Sequence, residues 1–83
     1  MVNKLCIKML KDMKSPYPNV TIDITENPSY VGLRVYENEV MSLSDEKRYG
    51  IMMHLHEMRK VLLQFGYDCY FEGAKGDPPR SIK

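Results

Sequence analysis

Val20-Thr21-Ile22-Asp23-Ile24-Thr25-Glu26-Asn27-Pro28-Ser29-Tyr30-Val31-Gly32-Leu33-Arg34-Val35-Tyr36 is the stretch whose reading decides the fold. Val20, Ile22 and Ile24, then Val31, Leu33 and Val35, alternate with polar or small residues, as the apolar side of a half-buried strand does. Glu26-Asn27-Pro28-Ser29 has hairpin length and turn-forming composition, so strands near 19–25 and 30–37 are expected to pair antiparallel.

On either side of this hairpin the apolar period changes to that of a helix. Upstream, Val2, Leu5, Cys6, Met9, Leu10 and Met13 recur at helical spacing, with Lys4, Lys8 and Lys11 on the opposite side. That helix, near 2–14, should stop before Ser15-Pro16-Tyr17-Pro18, because each proline removes an N–H and pushes its predecessor out of the helical region. Downstream, Ile51, Leu55, Met58, Leu62 and Phe65 form a second helical stripe. Ser42 and Ser44 are rival N-caps for it, Asp45 and Glu46 suit its first turn, and Gly66 is placed to end it. Tyr67, Cys69 and Phe71 then alternate as a third strand, near 67–72.

The expected class is α+β with order α-β-β-α-β, a three-stranded sheet with two helices packed on one face. A helix between the second and third strands implies a right-handed crossover. Residues 1–72 read as one compact domain and the breaker-rich 73–83 as a flexible tail. In 83 residues the core is small, so each strong apolar position matters.

Composition narrows the function classes. A hydrophobic fraction of 43%, a charged fraction of 28% and a net charge of +1 are ordinary for a folded soluble domain. They give no overall electrostatic footprint for DNA or a membrane surface. No run approaches a membrane span, and lysines interrupt the only N-terminal apolar stretch, so no secretory signal is read and a cytoplasmic location, in a cell or an infected host, is expected. Cys6 and Cys69 fall on apolar faces and read as small buried hydrophobes, with a disulfide between them as the rival reading.

No catalytic pattern is laid over the fold. His54 and His56 are two apart on a helix and point to different sides, so they cannot chelate one metal, and His-Leu-His-Glu is not a zinc-protease motif. No serine has a nucleophile-elbow context, and no glycine-rich loop precedes a helix to cradle phosphate. The chain is therefore expected to be non-catalytic, with no cofactor and no metal.

Two surfaces carry candidate binding residues. Period 2 sends Tyr30, Arg34, Tyr36 and Tyr70 to the sheet face away from the helices, where Tyr and Arg suit a protein partner. The plain rival is that tyrosines favour strands and pack across them. On the second helix an arc beside the core stripe holds Tyr49, Met52, Met53, His56 and Leu63, and methionine suits an adaptable contact. The first helix is expected to cover Met52 and Leu63, and it accounts less well for Tyr49 and Met53. The expectation is a protein-interaction domain acting as adaptor, subunit or inhibitor, a viral protein acting on host machinery included. It binds a protein through the sheet face or the second helix, and self-association as a homodimer is also expected. The alternative is single-stranded RNA stacked on the tyrosines, against which Asp23, Asp68, Glu72, Glu37 and Glu39 repel phosphate.

Overall fold

The computed structural model describes residues 3–13 and 17–79. Its elements run α1 (Lys4–Asp12), β1 (Asp23–Glu26), β2 (Tyr30–Tyr36), α2 (Glu37–Met41), α3 (Asp45–Gln64) and β3 (Asp68–Ala74). The class is α+β, and the sheet is mixed, in the order β1-β2-β3. β1 and β2 form the antiparallel hairpin, with Ile24 opposite Leu33. β2 and β3 run parallel, with Arg34 beside Glu72. Parallel neighbours need a crossover, and α3 supplies its length.

Local chemistry sets the boundaries. Asn3 caps α1, its side chain accepting from the Leu5 amide at 2.8 Å. Of the two rival serines, Ser44 caps α3 by accepting from the Lys47 amide at 3.3 Å. Ser42 instead donates to the Glu39 carbonyl at 3.1 Å and closes α2. The end of α3 is fixed by Gly66 at φ 83°, a conformation glycine adopts without strain. There the Gly66 amide donates to the Leu63 carbonyl and the Tyr67 amide to the Leu62 carbonyl, both at 3.0 Å. This pairing satisfies the last helical carbonyls and turns the chain directly into β3.

Three expectations from sequence are corrected. The order contains one more helix, since α2 begins straight after Tyr36. β1 starts at Asp23, because the Thr21 amide is taken by the Glu39 carboxylate at 2.7 Å and not by a neighbouring strand. β3 runs to Ala74, into the expected tail, and the Gly76 carbonyl accepts from the Asn38 amide at 3.1 Å, so the chain just past β3 is tied to α2. Of that tail, residues 80–83 lie outside the described residues, as do Val2 and Lys14 at the two expected ends of the first helix and the Ser15-Pro16 expected to stop it.

One core joins the layers. Cys6 and Leu10 of α1, Val31 and Leu33 of β2, and Ile51, Leu55, Met58 and Leu62 of α3 belong to a single buried cluster. Leu10, Leu33 and Leu62 are almost fully buried. Each contributes about 1.5–3 kcal/mol of apolar burial.

Candidate functional site

The register of β2 against β3 builds the outer sheet face. Parallel pairing sets Gly32 beside Tyr70, and the Tyr30 and Tyr70 rings meet edge to face with centroids 4.9 Å apart. One step along, Arg34 Nη2 donates to Glu72 Oε2 at 2.9 Å. Glu72 lies across Gly32, where a Cβ would stand 2.8 Å from its Oε1, so the missing side chain makes room for the ion pair. Arg34 Nε is buried without a hydrogen-bond partner.

Tyr36 is the exception on this face. It is only 6% exposed, and its hydroxyl donates to Asp23 Oδ2 on β1. That hydrogen bond, with burial and the Asp23 charge adding to it, raises the Tyr36 pKa above the ordinary tyrosine value. Unlike Tyr70, which is 57% exposed, Tyr36 is largely withdrawn from solvent. Glu39 is likewise engaged, accepting from both the Thr21 amide and hydroxyl. Much of the polar surface on this face is thus satisfied within the molecule, as cross-strand packing predicts.

The second arc is placed differently from the expectation. The backbone amide of Asn3, the N-cap of α1, donates to the Tyr67 hydroxyl at 2.8 Å, while Leu10 and Met13 share a cavity wall with His54 and Met58, so α1 lies along one side of α3. The opposite side holds His56 and Arg59, which meet Phe71 of β3: His56 edge to face at 5.3 Å and the Arg59 guanidinium over the ring at 6.0 Å. With about 3.6 residues per turn, Met52, Leu63 and Tyr49 share this β3 flank. The first helix therefore does not cover Met52 and Leu63, which are 52% and 51% exposed. Tyr49 and Met53 are exposed too.

Phe71 is the residue that sequence reading missed. Its parity correctly turns it toward α3, yet it is 44% exposed because β3 is an edge strand. Among the described residues β3 pairs with β2 alone. Its free edge therefore runs between Phe71 and the α3 flank on one face and Tyr70 on the other.

Chemistry elsewhere is sparse. The cavity between α1, the β1 segment and α3 has a volume of about 250 Å³, and among the described residues its polar side chains are Lys11 and His54, whose Nε2 is buried without a partner. Burial pushes both thiols up, with Arg59 opposing the shift at Cys69, so Cys6 and Cys69 are weak nucleophiles at neutral pH. Both are free, so the disulfide reading is set aside. Among the described residues no three acidic, cysteine or histidine side chains form a metal-holding group. No helix there is long and apolar enough to cross a membrane.

Comparison of the chain with protein-family models, curated proteins and solved structures finds no match.

Proposed function

We propose that this chain is a small non-catalytic protein-interaction domain of the cytosol, an adaptor, subunit or inhibitor, and that its docking surface is the β3 edge with the α3 flank. The observation that carries this reading is that Tyr49, Met52 and Leu63, set by helical period on the α3 flank whose His56 and Arg59 meet Phe71, are exposed together with Phe71 along a seven-residue strand whose outer edge has no partner among the described residues. An unpaired edge offers backbone hydrogen bonds to another chain, and flanking apolar side chains supply the desolvated area that gives such a contact affinity. Tyr70, paired with Tyr30 on the other face, extends the surface around the edge. Arg34 is committed to Glu72 and Tyr36 to Asp23, so neither anchors the partner.

RNA binding is the weaker reading. Asp23 and Glu72 stand on the same face as the tyrosines, and Arg34 there is already paired with Glu72. Phosphate gains little from such a surface.

The test is affinity capture with nuclease treatment, comparing wild type with the Tyr70→Ala/Phe71→Ala variant. Circular dichroism verifies that the variant is folded. Hot-spot truncations cost above about 1 kcal/mol each, so captured protein should fall at least severalfold. Undiminished capture by the variant sinks the β3 assignment. Tight oligonucleotide binding that weakens steeply with salt replaces the protein reading by the RNA one.

A further inference from the structure

We infer that the occupant of the β3 edge is a second copy of this chain, paired β3 to β3 antiparallel about Phe71, so that two three-stranded sheets become one of six strands. The inference rests on the reading of β3 as the docking surface and adds the partner and the register.

Symmetry and charge select that register. A two-fold axis normal to the sheet pairs antiparallel strands and keeps the helices of both copies on one face. Residues opposed across such an axis share a face, so the centre must fall on a residue. Centred on Tyr70, the pairing sets Asp68 against Glu72 twice; centred on Glu72, it sets that carboxylate against itself. Like charges directly opposed destabilise a sheet pair. Centres at Cys69 or Gly73 engage only one end of the strand.

Centred on Phe71, all seven residues pair, Asp68 with Ala74, Cys69 with Gly73 and Tyr70 with Glu72, and no like charges oppose each other. On the helical face the two Phe71 rings meet at the axis. Gly73 presents open space to the opposing Cys69, since nothing lies within 4 Å of a Cβ built there. Each Arg59 stays over its own Phe71 ring. The other edge strand does not serve: β1 has four residues, two of them acidic, and a β1-to-β3 contact would propagate without closing.

The register has a covalent signature. Directly opposed residues in an antiparallel pair bring Cα atoms to about 4.5–5.5 Å, within disulfide reach. In the full-length Gly73→Cys variant, mild oxidation at alkaline pH should therefore join each introduced thiol to Cys69 of the other copy. Each bond transfers two electrons from the thiol pair to the added oxidant and releases two protons. Sedimentation should show twice the 9.7 kDa chain mass for wild type and variant before oxidation, and reducing against non-reducing gels should show cross-linking in the variant alone. Phe71→Glu, folded by circular dichroism, should raise the dimer dissociation constant at least tenfold.

A 9.7 kDa species at micromolar concentration overturns self-pairing while leaving the edge open to a different protein, which the capture experiment reads separately. A dimer whose cross-linking survives Cys69→Ser in the Gly73→Cys background overturns the register.

Discussion

The two edges of this sheet are built to opposite ends. β1 is short, carries Asp23 and Glu26, and is entered by a segment whose Thr21 amide is held by Glu39. β3 is seven residues long, has no lysine or proline, and shows Phe71 on one face and Tyr70 on the other. Proteins blunt edges that must stay unpaired with short length, charge and tethering. β1 combines all three, whereas β3 is long and its charges are Asp68 and a Glu72 already paired with Arg34, which is why β3 is the edge proposed to meet another chain.

The largest effect that tests this contrast compares Leu33 with Phe71. Leu33, fully buried on the central strand, supports both edges, and Leu33→Ala should cost about 2–5 kcal/mol in urea unfolding. Phe71→Ala in dilute solution should cost about 1 kcal/mol, the worth of its ring contacts. Equal losses would make the β3 flank core and break the comparison. Next, Glu39→Ala should release the protected side. A part-buried amide then loses a charged acceptor, a loss of about 1.5–3 kcal/mol, and Thr21 hydrogen exchange should accelerate. Unchanged exchange at Thr21 would show that Glu39 secures nothing.

Smaller still is Gly32→Ala, whose methyl group would displace the Glu72 carboxylate from its ion pair with Arg34. A partly exposed pair is worth about 1 kcal/mol at most. The cost should largely disappear in a Glu72→Ala background, and a full cost there would show that the backbone, not the ion pair, resists the methyl group.

The last effect appears only in alkali. The fold favours the neutral Tyr36 hydroxyl, chiefly through its hydrogen bond to Asp23, so its contribution is complete below the ordinary tyrosine pKa of about 10 and is lost as pH rises through the higher folded value. The stability gap between wild type and Tyr36→Phe should hold near neutrality and narrow above about pH 10. A gap unchanged into strong alkali would remove the hydrogen bond as its source.

Much of this contrast was legible residue by residue. Alternation alone placed Val31 and Leu33 in the core, and Gly66 marked the end of α3, because both signals are local. α2 was not legible, since five residues are too few to show a period. The exposure of Phe71 was hidden for another reason: a strand's own pattern tells which face a residue takes, not whether its strand lies at an edge. Tyr36 misled through register, because its partner Asp23 lies on a different strand. Tyr30 and Tyr70 were rightly assigned to one face, and their contact follows from the parallel pairing that sets Gly32 beside Tyr70.

The Arg34–Glu72 pair spans 38 positions of chain. Hairpin β1–β2 and the α3–β3 turn close over short loops, whereas the parallel seam between β2 and β3 must bring distant segments together and pay their loop entropy first. On the ribosome, β2 is made early and then waits for α3 and β3 to emerge before the edge that receives β3 can be covered. During that interval its Val31 and Leu33 side chains and open backbone are available to any passing strand. Slowing synthesis of the stretch after β2 should therefore lower soluble yield, and added chaperone should restore it.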